Sequence, residues 1–202
     1  MPDFSREFAI GSTVAGLDEA GRGPWAGPVV AGAVILNYDR IPEELIRGLD
    51  DSKKLSAKRR EAFFAALPLC ASVGVGQADV AEIDKINILQ ATMLAMCRAY
   101  QNIGRMADVA LVDGNHAPNL PCTVETMIKG DAKSLSIAAA SIIAKVTRDR
   151  LMQNLAQEFP GYGWERNAGY GTAEHKQALE RLGVTTHHRK SFNPISAILN
   201  KF

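Results

Sequence analysis

Short apolar runs alternate with longer segments of helical periodicity along most of this chain. Runs rich in β-branched and apolar residues predict strands at residues 14–18, 29–36, 71–76 and 109–112. Apolar positions at helical spacing predict helices at 57–67, 88–102 and 136–159, and shorter helices at 173–182 and 195–200. This alternation of strands and helices favours a layered α/β domain.

Two of the predicted helices carry further signals. Asn87 is expected to cap the helix at 88–102, because Gln90 follows it three residues later. The first half of the helix at 136–159 is crowded with alanine, which lets another element approach it closely. Lys145 and Arg148 should share one face of that helix, at three-residue spacing.

Four carboxylates lie where strands or short loops should end: Asp18, Glu19, Asp113 and Asp131. An ionised carboxylate is costly to desolvate unless it is paired or binds a metal. Oxygen ligands suit Mg²⁺ or Mn²⁺, and two such ions about 4 Å apart can clamp a phosphate during displacement. Asp113 or Asp131 alone would indicate only a turn. The adjacent pair Asp18 and Glu19, which runs into a glycine-rich loop, makes a metal-dependent phosphodiester enzyme the better interpretation.

Composition narrows the class of protein. A chain of 202 residues can bury one good core, and we expect a loosely attached tail at 1–12, a catalytic domain at 13–163 and a small helical C-terminal subdomain at 164–202. The sequence has no apolar run of about eighteen residues and no basic, apolar leader, which predicts a cytoplasmic protein without membrane contact. Its three cysteines are widely spaced and are expected to be reduced thiols.

Charge is divided unevenly along the chain. The net charge of +1 argues against a highly basic nucleic-acid binder. Residues 145–202 nevertheless carry nine Lys or Arg against five Asp or Glu, and residues 1–144 carry fourteen against seventeen. The basic part can supply phosphate contacts that position nucleic acid without distinguishing its sequence. A solvated surface would explain the same excess.

Six motifs follow one another in order between residues 13 and 194. They are GLDEAGRGPWAGPV at 16–29, DSKKL at 51–55, VDG at 112–114, the run from KGDAKS at 129–134 to SIIAKV at 141–146, GYGT at 169–172 and HRKSF at 188–192. Together they closely resemble the signature of the type 2 ribonucleases H, and of the bacterial ribonuclease HII family in particular.

The resemblance implies a fold, an activity and a cofactor. The fold would be ribonuclease H-like, a mixed β-sheet flanked by helices with a small helical C-terminal segment. Asp18, Glu19, Asp113 and Asp131 would hold two Mg²⁺ or Mn²⁺ ions in the active complex. The enzyme would hydrolyse the RNA strand of RNA–DNA hybrids and cut on the 5′ side of single ribonucleotides in duplex DNA, leaving 3′-hydroxyl and 5′-phosphate ends. Its role would lie in DNA repair and replication, and we expect a monomer.

The resemblance also implies which residues recognise the substrate. Gly21, Arg22 and Gly23 would contact the ribose 2′-hydroxyl at an RNA–DNA junction, the group that distinguishes RNA from DNA. Tyr170 would pack on the deoxyribose just beyond the ribonucleotide. By themselves, the glycines would by default indicate a structural turn, and packing within its loop would explain Tyr170 equally well.

The remaining basic and aromatic residues have weaker assignments. The candidate phosphate contacts are Lys53, Lys145 and Arg148. The stretch at 187–190 could bind phosphate, but an exposed basic turn is the preferred interpretation. His116 is not expected to be a catalytic base, and Trp25 and Trp164 are expected to be packing residues.

Other functions are compatible with parts of this pattern. A related nuclease with the same acidic fold could act on a different substrate, although Gly21–Gly23 and Tyr170 argue against it. A noncatalytic nucleic-acid-binding module would have lost one or more of the acids, whereas all four are present. A type 3 ribonuclease H would be expected to carry an extra N-terminal domain, for which we expect no room before the first strand.

Overall fold

A five-stranded mixed sheet runs through the middle of the computed structural model, which describes residues 1–200. The strands are β1 Val14–Ala20, β2 Val29–Leu36, β3 Ala71–Ala78, β4 Val109–Asp113 and β5 Thr123–Met127. Their order in the sheet is β3-β2-β1-β4-β5. β2 runs antiparallel to both of its neighbours, β1 and β3, and β4 and β5 run parallel to β1. The predicted mixed sheet is therefore confirmed.

Helices cover both faces of this sheet. They are α1 Ser5–Ile10, α2 Glu43–Gly48, α3 Ala57–Cys70, α4 Val80–Gln101, α5 Leu135–Glu158, α6 Trp164–Asn167, α7 Ala173–Leu182 and α8 Ile195–Leu199. One apolar core lies between the sheet and α4, and a second lies between the sheet, α3 and α5. The sheet is thus buried on both faces, as its apolar strands predict.

The predicted strands and helices are all present, with small shifts at their ends. Within residues 1–200, five elements were not predicted: α1, α2, α6, β5 and a 3₁₀ turn at Gly130–Ala132. The first three are short, with six, six and four residues. β5 lies at the sheet edge and its residues are exposed or half-buried, so it lacks the apolar run that marks a buried strand.

A kink divides α4 at Asn87, where the backbone is non-helical with φ 67°. The Asn87 side chain accepts hydrogen bonds from the backbone N–H groups of Leu89 and Gln90, at 3.0 and 3.1 Å. These bonds confirm that Asn87 caps the helix that follows. The helical stretch before the kink, which was not predicted, begins at a capping box formed by Asp79 and Glu82.

Close backbone contact joins α5 to the sheet. A Cβ atom on Gly16 of β1 would lie 2.1 Å from the carbonyl carbon of Ser136, and one on Gly32 of β2 would lie 2.4 Å from the Ala140 carbonyl oxygen. This confirms that the alanine-rich half of the helix is approached closely. Two glycines of β3 meet α4 on the opposite face in the same way.

The first residues of the chain differ from the expected loose tail. Glu7 of α1 is buried, and its Oε1 accepts hydrogen bonds from the Ser134 hydroxyl at 2.7 Å and the Ser136 backbone N–H at 3.0 Å. These bonds satisfy donors at the first turn of α5 and attach α1 to it. The segment is therefore fixed by a polar contact that apolar periodicity does not indicate.

Helices α6 to α8 surround a third, smaller core. It contains Trp164 and Ile195, together with Ala26 from the loop after β1 and Met152 from α5. The boundary at 163 remains a prediction, because this small core includes residues on both sides of it. No helix within residues 1–200 is long and apolar enough to span a membrane.

Because β1 and α5 are in close contact, adding one methyl group at Gly16 should strongly reduce the stability of the fold. Gly16→Ala should destabilise the fold by roughly 2 kcal/mol or more, because the helix must move away from the sheet. Urea denaturation of the variant and the wild type measures this. Gly104→Ala is the control: apart from Gly104 and its two chain neighbours, no described residue has an atom within 4 Å of the Cβ position, so the substitution should cost only about 1 kcal/mol for its left-handed backbone. Equal destabilisation by the two variants would contradict this packing.

Candidate active site

Asp18 and Asp113 stand at the ends of neighbouring parallel strands. Leu17 of β1 lies opposite Val112 of β4, so the next residue of each strand lies roughly one strand spacing from the other, ~4.8 Å. Leu17 and Val112 belong to the core under α4. Because side chains alternate along a strand, the two aspartates point to the face that α5 covers.

Asp131 is brought to the same place by a short 3₁₀ turn, Gly130–Ala132. The backbone N–H of Gly130 donates to Oδ1 of Asp113 at 2.7 Å. This bond ties the start of the Asp131 turn to the end of β4. The expectation that the segment before α5 lies close to the strand-end acids is therefore confirmed.

Burial and mutual repulsion dominate the electrostatics of this cluster. Burial raises the pKa of Asp18 well above its usual range, and the nearby charges of Glu19, Asp113 and Asp131 raise it further. Burial also raises the pKa of Asp131, as do Asp51 and Asp113. The fold thus gathers the predicted acids so that neighbouring carboxylates disfavour ionisation of Asp18 and Asp131, an arrangement that a bound cation would relieve.

Among residues 1–200, Glu19 is the one predicted ligand that forms an ion pair. Its Oε1 lies 3.3 Å from Nη1 of Arg22, which opposes the rise in its pKa that burial causes. Within residues 1–200, no three His, Cys, Asp or Glu side chains are close enough as they stand to hold a metal ion. The donors themselves are carboxylate oxygens, and they fit Mg²⁺ or Mn²⁺.

A cavity of about 250 Å³ lies beside Asp18 and Glu19. Its walls also include every residue predicted to recognise substrate: Gly21, Arg22, Gly23, Lys53, Lys145, Arg148 and Tyr170. Four hollows elsewhere in the described part of the chain, of about 480, 390, 640 and 340 Å³, are larger. None of the four is lined by a predicted ligand, so size does not identify the site.

Arg189 fixes the glycine loop and was not predicted to do so. Its guanidinium is fully buried and donates to the carbonyl oxygens of Gly21 at 2.5 Å, Arg22 at 2.8 Å and Gly27 at 2.9 and 3.0 Å. Burial lowers its pKa to about 9. The preferred interpretation of 187–190 as an exposed basic turn is therefore wrong for Arg189, because loop carbonyls surround it, and for His188, which is also fully buried.

Arg148 supports the same loop from α5. It is 1% exposed and donates to the carbonyl oxygens of Pro28 at 3.0 Å, Ala168 at 2.9 Å and Ala26 at 3.2 Å. Gly21 has φ +97°, and a Cβ there would lie 1.9 Å from Nε of Arg148. With its donors used in this way, Arg148 is better suited to holding the loop than to the predicted phosphate contact.

Tyr170 stands across the cavity from the glycine loop, with 46% of its surface exposed. A Cβ on Gly23 would lie 3.4 Å from Cε1 of Tyr170. The backbone N–H of Trp25 donates to the Gly169 carbonyl at 2.8 Å, which joins the two loops. An exposed ring beside a glycine loop can stack on a sugar or base.

The two lysines occupy different environments. Lys53 is exposed, and its charge opposes the rise in the pKa of Asp131. Lys145 is half-buried and forms an ion pair with Asp149 at 2.8 Å. Asp51, two residues before Lys53, is a further carboxylate near Asp131 that the sequence did not identify as part of the site, although its motif was recognised.

This chain is similar in sequence and in structure to several known proteins. The family model described as Ribonuclease HII matches residues 15–195. Ribonuclease HII of Paramagnetospirillum magneticum is 60% identical over 196 residues, covering 97% of this chain and 98% of the relative. Ribonuclease HII of Rhodospirillum rubrum is 59% identical over 201 residues, covering 98% and 92%. The crystal structure of ribonuclease H2 from Pyrococcus horikoshii has a TM-score of 0.77 and 29% identity, covering 94% of this chain and 98% of that one.

The contacts of Arg189 predict that lysine cannot replace it. A single ammonium group cannot reproduce the fork that reaches three carbonyl groups, so Arg189→Lys should destabilise the fold by roughly 2–4 kcal/mol. Urea denaturation measures the loss. Arg22→Lys is the matched control, because that side chain is 48% exposed, and it should change stability by less than about 1 kcal/mol. Similar losses for the two variants would exclude a clamping role for Arg189.

Proposed function

This chain belongs to the ribonuclease HII family of metal-dependent endoribonucleases, and we propose that it cuts the RNA strand of RNA–DNA hybrids and cuts duplex DNA on the 5′ side of single ribonucleotides. One observation carries the proposal. Two of the clustered carboxylates, Asp18 and Glu19, line the same cavity as the Gly21–Gly23 loop and Tyr170. A hydrolytic centre and a surface for sugar recognition therefore lie side by side.

Asp18, Glu19, Asp113 and Asp131 are the proposed ligands. When bound, two Mg²⁺ or Mn²⁺ ions would supply an activated water and offset the charge that develops on the leaving 3′-oxygen. Glu19 would exchange its pairing with Arg22 for the metal site, which frees the Arg22 guanidinium to meet a phosphate. Cleavage of this kind leaves 3′-hydroxyl and 5′-phosphate ends.

The glycine loop is proposed to detect the ribose 2′-hydroxyl. Arg189 occupies the carbonyl oxygens of Gly21 and Arg22 and fixes how the loop faces the cavity. Peptide groups that Arg189 does not use can pair with the hydroxyl, and Gly23 leaves room for the sugar to approach. A substrate without the hydroxyl would leave those groups unpaired, which is an effective basis for discrimination.

Tyr170 and the lysines are proposed to hold the rest of the substrate. The exposed Tyr170 ring would pack on the deoxyribose that follows the ribonucleotide. Lys53 and Lys145 would contact backbone phosphates, which strengthens binding without sequence preference. On the same premise of family membership, we propose a monomer that acts in the cytoplasm to remove ribonucleotides from DNA.

Cleavage of three matched, labelled duplexes tests the proposed activity. One contains only DNA, one contains a single ribonucleotide and one has a complete RNA strand. We expect the last two to be cut with Mg²⁺ or Mn²⁺ and to be left intact with a chelator, and the single ribonucleotide to yield one product with a 3′-hydroxyl end. Equal cutting of the all-DNA duplex would refute recognition of the 2′-hydroxyl.

Removing one carboxylate charge tests the proposed ligands. Asp18→Asn and Asp113→Asn keep the side-chain shape, so each variant should fold while its turnover falls by roughly 10²-fold or more. Asp149→Asn is the control: it removes a nearby carboxylate that pairs with Lys145 and should retain most activity. Near-normal turnover of folded Asp18→Asn in excess Mg²⁺ would show that the cluster does not hold the ion.

A further inference from the structure

Two histidines, His175 of α7 and His188 in the segment after α7, form a buried pair behind the cavity. Both are 0% exposed, and their Nε2 atoms lie 3.0 Å apart. In the structure of residues 1–200, neither ring forms part of the cavity wall. Buried polar rings are costly unless every nitrogen has a partner, so their contacts decide what the pair does.

The hydrogen positions follow from one backbone donor. The N–H of Thr185 donates to Nδ1 of His188 at 2.9 Å, so that nitrogen carries no hydrogen. A neutral His188 must then carry its hydrogen on Nε2 and donate it to Nε2 of His175. His175 in turn carries its hydrogen on Nδ1, which lies 2.9 Å from the Tyr170 carbonyl oxygen and donates to it. The chain of bonds therefore runs in one direction, from Thr185 to Tyr170.

Two further facts support this order. Trp164 donates its indole N–H to Nε2 of His175 at 3.1 Å, which requires that nitrogen to be an acceptor. Burial lowers the pKa of His188 to about 4, helped by the charges of His175 and His187, and burial also lowers the pKa of His175. Both rings are accordingly neutral near pH 7, as the chain of bonds demands.

Two consecutive residues, His188 and Arg189, thus support the Tyr170 side and the glycine-loop side of the cavity. His188 acts through His175 on the backbone of Tyr170, while Arg189 holds the carbonyl groups of Gly21 and Arg22. The spacing between the aromatic ring and the glycine loop depends on this short stretch of chain. Under the proposed function, that spacing sets which sugars fit between them.

We propose that His175 and His188 are positioning residues that set Tyr170 against the Gly21–Gly23 loop and thereby set the preference for a ribonucleotide followed by a deoxyribonucleotide over continuous RNA. The inference rests on the proposed function of Tyr170 and the loop. Its physical basis is the hydrogen bond from Nδ1 of His175 to the Tyr170 carbonyl. Losing that bond loosens the Tyr170 turn while the carboxylates remain in place.

Two substitutions at His175 separate this role from simple packing. In His175→Asn the amide nitrogen can occupy the place of Nδ1 and donate to Tyr170, whereas in His175→Gln the amide lies near Nε2 and cannot. The experiment compares kcat/KM for a duplex with one ribonucleotide and for a uniform RNA–DNA hybrid, in Mg²⁺ near pH 8. Circular dichroism and urea denaturation establish that each variant is folded.

We expect His175→Asn to keep the ratio of the two kcat/KM values within about threefold of wild type. His175→Gln should lower that ratio by about tenfold or more, with the uniform hybrid cut at a rate within about threefold of wild type. Equal ratios for the two variants, or equal losses on both substrates, would overturn the proposal and leave the pair a packing feature. A wild-type protein that ignores single ribonucleotides would instead refute the proposed function.

A second pair of variants applies if His175→Gln does not fold. His188→Gln can still donate to His175, whereas His188→Asn accepts from Thr185 but does not reach His175. We expect only His188→Asn to lower the preference for the single ribonucleotide. The same ratio for both His188 variants would also overturn the proposal.

Discussion

The structure depends on holding several carboxylates close together at the ends of β1 and β4, where burial removes water from them. Asp18 is buried among like charges that raise its pKa, so the site disfavours its own ionised form until a cation arrives. The parallel pairing of β1 with β4 and the bond from Gly130 to Asp113 impose this gathering. The close contact of α5 with the glycines of β1 and β2 supplies the rigid packing that opposes the repulsion.

A second requirement is a glycine loop that is open to substrate and yet well fixed. The buried Arg148 and Arg189 side chains hold the loop by donating hydrogen bonds to its carbonyl groups. The histidine pair holds Tyr170 through a hydrogen bond to its carbonyl oxygen. Residues beyond 163 therefore line the cavity as well as forming most of the small third core. Under the proposed function, substrate recognition and stability depend on the same residues, because the groups that hold the cavity walls are themselves buried.

Sequence alone predicted the elements and residues whose signal is local. Apolar runs that end in an acid located β1, β4 and their aspartates, and Asn87 marked a helix start. The edge strand β5 lacks such a run. The roles of Arg148 and Arg189 could not be predicted, since their carbonyl partners lie up to 122 and 168 residues away along the chain. A basic residue looks exposed until the fold supplies those carbonyl groups.

Direct measurement of Mn²⁺ binding tests the central claim, that the strand-end carboxylates form a cation site. Electron paramagnetic resonance can follow free Mn²⁺ during titration of the folded wild type, Asp18→Asn and Asp149→Asn. The wild type and Asp149→Asn should bind Mn²⁺ saturably with similar affinity, and Asp18→Asn should bind at least about tenfold more weakly. Wild-type affinity in Asp18→Asn would contradict the account.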